Sequence, residues 1–319
     1  MNVPHLAGPA DAVLAGCKAA LALAEGDPLI ELVGTSDSAE RIMAGHKAAS
    51  DRGAAIVVGP MTRAGVSALA ASGTLRTPTL ALNEPEQAVA LPENLYTFGL
   101  SIGAEARQVA RSAWASELRK AVVVQSTTAL SKRAAKAFAQ EWFVLGGRIG
   151  DVLEFGTQAD LTVIRERLAK SDADLIFLAA SPDRARVARP YLNIQIPVFA
   201  TSQINSGRVD PLTNLDLNGI RFVEMPWLVQ PDNVTAMIFP RPDGLAPELQ
   251  RFYALGIDSC RIASEFLNRR LPIQLEGVTG TLSLRPTGYV QREAMQAIFR
   301  DGSGVAYVPR VPRVPRVAR

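Results

Sequence analysis

The feature that most restricts the fold is a repeated alternation between short apolar runs and longer segments with helical periodicity. Most runs are continuous in apolar residues, which is typical of strands covered on both faces. The segments between them are amphipathic; within residues 104–118, for example, Ala106, Val109 and Ala113 share one helical stripe. This alternation predicts α/β units with parallel sheets. The predicted strands span residues 29–34, 55–59, 79–82, 96–100, 121–125, 175–179, 198–200 and 220–224.

The alternation occurs twice, over about residues 10–100 and again over about residues 104–222, before a long helix at residues 246–270. A terminal hairpin over residues 280–285 and 289–299 follows. We therefore predict two doubly wound lobes with a cleft between them and several chain crossings. The expected parts are residues 1–101 with about 227–278 (first lobe), residues 102–226 with about 279–307 (second lobe), and residues 308–319 (a disordered tail).

The helix predicted over about residues 10–25 has no strand before it. Pro4 and Gly8 interrupt the preceding residues, which contain no apolar run. We expect the first strand of the lobe to be missing from this chain; a lobe that starts unusually is the alternative. Loss of a central strand would expose two strand edges, so we predict poor stability. A version extended upstream by roughly 30 residues, about one β–α unit, should melt at a higher temperature.

The charge distribution argues against a nucleic-acid binder. The net charge is +3, but the Val-Pro-Arg repeats at the carboxyl end carry Arg310, Arg313, Arg316 and Arg319, and without them the charge is −1. A near-neutral body lacks the basic face that binds nucleic acid. The repeats favour extended conformations and offer nothing to bury, which predicts disorder, with a basic tether for an acidic surface as the alternative.

The sequence contains no apolar stretch that approaches the roughly 18 residues of a membrane span. The amino-terminal segment, residues 1–13, has neither a basic cluster nor an apolar core of signal-peptide length. We therefore expect no transmembrane segment, and any export signal would lie outside this chain.

No pattern of catalytic, metal-binding or phosphate-binding residues is present. His46 shares an apolar helical stripe with Ile42, which predicts a histidine at the edge of a core. His5 lies in a predicted loop, and no G-x-S-x-G elbow exists to pair with it. No Cys/His cluster has metal-ligand spacing, and residues 59–65 match neither glycine-rich phosphate motif. We therefore expect no enzymatic activity, no metal site and no cofactor.

The two cysteines, Cys17 and Cys260, each lie on the apolar face of a predicted helix. This placement favours two separate, buried, small apolar side chains. A disulfide is the alternative if the two helices are neighbours, and spacing in the sequence cannot decide between them.

Polar side chains follow the predicted strands, at the sheet edge where ligands bind in open α/β folds. Most are hydroxyls or an amide, which suit either a hydrogen bond to a ligand or the N-cap of the next helix. Glu224 is the acidic exception, and Trp227 could present a large amphipathic surface or pack between the lobes. The cleft candidates are Thr62, Asn83, Ser101, Ser126, Ser181, Ser202, Glu224 and Trp227.

Several stretches resemble the penicillin-binding protein activator lipoproteins, the LppC or LpoA family. The most specific combination is FGLS, EARQVA, FVEMPWL and YALGIDSCRIA, which begin at residues 98, 105, 222 and 253, and the likeness covers about residues 10–300. The resemblance implies a type 1 periplasmic-binding-protein fold without transport. It also implies a non-catalytic lipoprotein of the periplasm, associated with the outer membrane, that activates a class A penicillin-binding protein, a peptidoglycan synthase.

The chain departs from the family in lacking a lipidation cysteine and the helical-repeat domain of longer members. The alternative function is a solute-binding protein for a small polar ligand, such as an amino acid or a glycan or peptidoglycan fragment. Receptors for zwitterions commonly need buried charges that meet those of the ligand. The mostly neutral strand ends disfavour a charged ligand but allow a peptidoglycan fragment in the cleft.

Overall fold

A computed structural model describes residues 4–24, 29–35, 38–208, 210–270 and 272–308, with only the backbone described for residues 4–7. The helices are α1 Pro4–Leu21, α2 Ala39–Asp51, α3 Arg63–Ala71, α4 Ile102–Ala115, α5 Ala129–Val144, α6 Gln158–Ala169, α7 Pro182–Ala188, α8 Pro211–Asn214, α9 Pro226–Val229, α10 Val234–Met237 and α11 Gln250–Leu267. The strands are β1 Val57–Val58, β2 Thr79–Ala81, β3 Leu95–Thr97, β4 Lys120–Ser126, β5 Arg148–Phe155, β6 Leu175–Ala179, β7 Val198–Ala200, β8 Arg221–Glu224, β9 Gln274–Glu276, β10 Thr281–Leu284, β11 Val290–Glu293, β12 Met295–Arg300 and β13 Ser303–Ala306.

The first lobe is a parallel sheet with the order β1-β2-β3, covered on both faces. Successive residues of a strand point to opposite faces. Ala81 and Leu95 therefore pack against α2 and α3, whereas Leu80 and Leu82 pack against α11 and a small antiparallel sheet with the order β11-β10-β9. This second layer brings the carboxyl-terminal part of the chain back onto the first lobe.

The predicted strand over residues 29–34 is wrong for the described structure. Residues 29–35 form no strand, and the side chains of Leu29 and Leu32 are 96% and 68% exposed. Within the described residues, β1 pairs only with β2. An apolar run cannot form a strand unless a neighbour satisfies its backbone groups. The missing first strand and its effect on stability stay predictions.

The second lobe is a seven-stranded sheet with the order β13-β12-β8-β7-β6-β4-β5, parallel from β8 to β5. Helices α4 and α5 cover one face, where Val123 and Phe177 are buried. Helices α6 and α7 cover the other face, where Val124 and Leu178 are buried. Strands enclosed in this way carry no polar face, which is why their continuous apolar runs predicted them.

The other seven predicted strands are confirmed, and those over residues 175–179 and 198–200 have the observed bounds. Strand β5 was not predicted, because its alternating burial at the sheet edge leaves no continuous apolar run. The predicted helix over residues 246–270 is confirmed as a 3₁₀ turn followed by α11. His5 lies in α1 rather than in a loop, and its side chain is outside the described residues, as are residues 309–319 of the predicted tail.

The last predicted strand, residues 289–299, is divided between the two lobes. It breaks at Ala294 into β11, which pairs with β10, and β12, which pairs with β8. The side chain of Gln108 holds this crossing through hydrogen bonds with the Ala294 carbonyl and amide, at 2.7 and 3.0 Å. Because β10 and β11 pack on the first lobe, this crossing lies at Ala294 and not near residue 278. The remaining lobe boundaries stay a prediction.

Helix α1 is attached to α11 by a close crossing and a disulfide. A Cβ atom on Gly16 would lie 1.9 Å from the Tyr253 carbonyl oxygen, so only glycine allows the two backbones to approach this closely. One residue further, Cys17 is bonded to Cys260, with their Cα atoms 5.2 Å apart. The prediction of two separate apolar cysteines is therefore wrong, because sequence spacing does not show that the helices are neighbours.

His46 of α2 points toward the sheet, where its Nε2 atom is 2.8 Å from the hydroxyl of Thr79 in β2. Burial lowers its pKa below the ordinary value of 6.5. His46 therefore binds fewer protons in the native protein than in the unfolded chain. Its contribution to stability is present above the ordinary pKa of 6.5 and is lost as the pH falls through the lower pKa of the folded state. We expect the urea midpoint to fall more between about pH 7.5 and about pH 5.5 in the wild type than in His46→Gln. Equal falls in both proteins would contradict this assignment.

Candidate functional site

A cavity of about 210 Å³ lies at the base of the cleft, beside the chain crossings. Its walls combine the crossings, the start of α4 and α5, the 3₁₀ turn Ser202–Ile204 after β7, and one residue of α11. Carboxyl ends of parallel strands meet here, as expected for a ligand site in an open α/β fold. The lining residues are Leu100, Ile102, Glu105, Leu130, Ser202, Gln203, Asn205, Met225 and Arg251.

Glu105 is a buried acid in the first turn of α4, where the helix dipole favours negative charge. One of its oxygens accepts a hydrogen bond from the Ser202 amide at 3.0 Å. The other accepts from Arg292 of β11. The two side chains of this ion pair are only 6% and 5% exposed. The pair therefore joins the second lobe, through α4, to the first lobe, through β11.

A second buried ion pair joins Glu224, at the end of β8, to Arg251 of α11. Glu224 also accepts hydrogen bonds from the Asn205 side-chain amide and from the Met225 amide, each at 3.0 Å. Burial by itself lowers the pKa of Arg251, but the Glu224 carboxylate, and after it Glu105, reverse this effect and raise the pKa above its ordinary value. Arg251 is therefore a permanent cation shared by both lobes.

These contacts neutralise the charges at the base of the cleft. Glu105 of the cavity wall, and Glu224 next to that wall, are each paired with an arginine from the other lobe. Arg251 further donates to the Asn205 carbonyl at 2.9 Å. A ligand at this point would meet no uncompensated charge among the described lining residues, and a charged ligand group would lose its hydration without compensation.

Gln203 of the cavity wall has a polar atom without a hydrogen-bond partner. Gln203 donates from Nε2 to the Ser131 hydroxyl at 3.1 Å, whereas its Oε1 atom is buried without a hydrogen-bond partner. Ser131 is held in turn by the Ser126 hydroxyl, 2.8 Å away. Leaving a buried carbonyl oxygen unpaired is unfavourable, so a neutral donor that reached this atom, such as a hydroxyl or an amide N–H, would satisfy it.

The predicted site residues divide into two groups. Ser202 lines the cavity, Glu224 contacts its wall through Arg251 and Asn205, and Ser126 supports Gln203 through Ser131. Whether any of them contacts a ligand stays a prediction.

The others lie further from the base. Thr62 and Ser101 accept helix N-cap hydrogen bonds, from Gly65 and Ala104. Ser181 precedes α7 without a side-chain cap bond. Asn83 donates to the Met61 carbonyl at 2.9 Å. Trp227 is fully buried, which places it in the core rather than on a cleft wall; its Nε1 donates to Gln250 at 2.8 Å, and Arg241 stacks on its ring.

Sequence reasoning missed the arginines and the amide that shape this cavity. Arg251 and Arg292 do not follow a strand of either parallel sheet, and Glu105 and Arg292 lie 187 positions apart. Gln203 follows β7 directly after Ser202 and could have been found by extending the strand-end rule by one residue. Among the described residues, no group of three or more histidine, cysteine, aspartate or glutamate side chains could hold a metal ion.

Comparison with known proteins gives a consistent family. The family model described as "LppC putative lipoprotein" matches residues 6–302. A protein of Edwardsiella piscicida named penicillin-binding protein activator LpoA is 29% identical over 92% of this chain and 48% of its own length. The protein of the same name from Haemophilus influenzae is 26% identical over 70% of this chain and 40% of its own length. The chain thus spans about half the length of the curated relatives it matches.

Solved structures show the same architecture. One described as a putative branched-chain amino acid ABC transporter from Chromobacterium violaceum is 31% identical, covers 92% of this chain and 95% of that one, and has a TM-score of 0.77. The LpoA C-domain from Haemophilus influenzae, described as a regulator of PBP1A, is 23% identical over 95% of this chain and 98% of that one, with a TM-score of 0.77. The predicted type 1 periplasmic-binding-protein-like fold is confirmed.

Proposed function

The chain belongs to the LppC putative lipoprotein family, and from that premise we propose that it is a non-catalytic regulator that binds and activates a class A penicillin-binding protein. The observation that carries the proposal is the similarity, over 92% of the chain, to a protein named penicillin-binding protein activator LpoA. The two buried ion pairs between the lobes support it, because they favour one fixed arrangement of the lobes, as a docking platform requires.

The chemistry of the cleft supports a non-catalytic role. General acid or base catalysis requires a group that can exchange a proton with a substrate. The two acids at the base, Glu105 and Glu224, are each paired with an arginine and hydrogen-bonded to a backbone amide. Both oxygens of each carboxylate are therefore engaged in contacts within the protein.

We place the protein in the periplasm, associated with the outer membrane as a lipoprotein. The family description names a lipoprotein, and the disulfide between Cys17 and Cys260 suits an oxidising compartment. Within the part of the chain that the structure describes, no helix has the length and apolar character needed to cross a membrane.

The proposal is tested with the purified class A penicillin-binding protein of the same organism. We expect saturable binding to the immobilised synthase, and a higher rate of glycan polymerisation or crosslinking in its presence. A class B penicillin-binding protein from the same organism, which lacks the glycan-polymerising activity, serves as the specificity control. Absence of binding would overturn the proposal, and binding without any change in synthase activity would overturn the activating role.

A second candidate, a receptor for a small neutral ligand, is favoured by one observation. Gln203 lines the cavity and its buried Oε1 atom has no hydrogen-bond partner among the described residues, and the chain is 31% identical to the Chromobacterium violaceum protein described above. Because the charges at the base are already neutralised, a peptidoglycan fragment with sugar hydroxyls fits this site better than a zwitterionic amino acid. Thermal-shift titration with N-acetylglucosamine, a neutral sugar of peptidoglycan, and with leucine distinguishes a neutral ligand from a zwitterionic one, and Gln203→Ala should abolish the shift caused by the sugar.

A further inference from the structure

Helix α5 carries an exposed face that the fold does not explain. Its inner side is buried against the sheet and α4, with Phe138 and Trp142 fully enclosed. On the outer side, Arg133, Lys136 and Phe143 follow one another at helical spacing and are exposed. Phe143 and the adjacent Val144 are 80% and 79% exposed. We call the surface of Arg133, Lys136, Phe143 and Val144, together with Arg107 of α4, the α5 face.

The cations of the α5 face differ from the cations next to them in their ion pairing. Neither Arg133 nor Lys136 nor Arg107 makes an ion pair with any described residue, whereas two neighbouring cations do: Lys132 pairs with Glu154 at 2.9 Å and Arg111 with Glu141 at 3.1 Å. Arg107 borders this surface at the contact of α4 with α5, where a Cβ atom on Gly103 would lie 3.6 Å from its Nη1 atom and 3.7 Å from the Ala137 methyl group.

The apolar part of this face is not required by the core. Trp142 stacks on Phe138, with ring centroids 5.5 Å apart, and meets Trp114 edge-on. These contacts fill the space beneath the end of α5 without Phe143. Two adjacent large apolar side chains left in water, about two helical turns from the unpaired Lys136, favour an interaction site over a solvated helix face.

We propose that the α5 face is the surface on which the penicillin-binding protein docks, and that the docked patch is acidic with an apolar recess for Phe143; this rests on the function proposed above. Three unpaired cations call for carboxylates on the partner. Arginine guanidinium groups match carboxylates in geometry, and a buried aromatic side chain commonly dominates binding energy. An anionic membrane is a poorer fit, because only one end of the helix offers apolar side chains and its other face is committed to the core.

The test measures binding of the purified synthase to the double variant Arg133→Glu/Lys136→Glu. We expect the dissociation constant at low salt to increase at least tenfold. The affinity should also fall less with added salt than that of the wild type, because the charge attraction is reversed. The matched control is Lys18→Glu/Lys170→Glu, which changes the net charge equally at two exposed helix-end cations without ion pairs among the described residues. The control should bind like the wild type.

The apolar part is tested separately with Phe143→Ser, for which we expect at least a tenfold loss of affinity without a change in the salt dependence. Ile194→Ser is the control, since Ile194 is 79% exposed and lies in the loop before β7, between Leu192 and Ile196, which pack with α6 and α7. Equal thermal unfolding of all variants, followed by circular dichroism, shows that lost affinity does not come from lost folding.

The outcomes separate this inference from the proposed function. If the wild type binds and the α5 variants bind as well as their controls, the α5 face is overturned as the docking surface while the activator function stands. If the wild type does not bind the synthase, both fail. A third outcome is that the wild type binds vesicles of phosphatidylethanolamine with phosphatidylglycerol and Arg133→Glu/Lys136→Glu does not. If the same substitutions leave synthase binding unchanged, the α5 face binds a membrane and the protein partner is overturned.

Discussion

Replacement of Arg251 by methionine should lower the free energy of unfolding by about 3–5 kcal/mol, because it leaves a buried carboxylate without its cation. Glu224 is 1% exposed and would keep only its hydrogen bonds from Asn205 and Met225. The Arg251 side chain itself is 19% exposed, so solvent screens the pair only weakly. Urea unfolding of the purified variant and the wild type, side by side, measures the difference.

The double variant Arg251→Met/Glu224→Gln is the matched control. It removes both charges, and glutamine can still accept the hydrogen bond from the Met225 amide. Replacing a whole buried ion pair with neutral side chains of similar volume is often close to neutral, so most of the lost stability should return. A double variant as unstable as Arg251→Met would show that methionine fits the site badly, and would contradict the charge argument.

Removal of the disulfide with Cys17→Ala/Cys260→Ala should destabilise the protein by roughly 3–5 kcal/mol. The bond closes a loop of 243 positions, so its loss frees a large part of the unfolded chain. Alanine suits both sites, since the two cysteines are 9% and 4% exposed among apolar neighbours. We expect a lower urea midpoint for the double variant than for the oxidised wild type.

Dithiothreitol provides the control for the disulfide. The reductant should lower the midpoint of the wild type to near that of the double variant and leave the variant unchanged. This separates the bond from the smaller packing loss caused by the removed sulfur atoms. The assignment fails if oxidised wild type and double variant unfold at the same urea concentration.

The arrangement of charges also separates the two candidate functions. A receptor that closes around a ligand must change the contacts between its lobes. Both buried ion pairs, Glu224 with Arg251 and Glu105 with Arg292, join the lobes. A fixed relation between the lobes suits a protein that presents its outer surface to a partner.

Much of the fold could be predicted because its signals are local. The bounds of β6 and β7 follow from continuous apolar runs between polar turns, and the strand-end rule located Ser202 and Glu224 beside the cavity. Strand β5 was missed because an edge strand alternates between exposed and part-buried residues. For Trp227 the sequence left open a cleft surface or packing between the lobes, because its position at a crossing does not reveal that α11 covers it.

The sequence by itself determined the α/β class, the near-neutral body, the strand-end positions and the family. These properties depend on composition, on periodicity over a few residues and on short motifs. Only the tertiary structure decided the disulfide, the two ion pairs between the lobes and the unpaired cations of the α5 face. The reason is distance along the chain: the bonded cysteines are 243 positions apart, and Glu105 and Arg292 are 187 apart. Such pairings are set by how the elements pack, which local patterns do not encode.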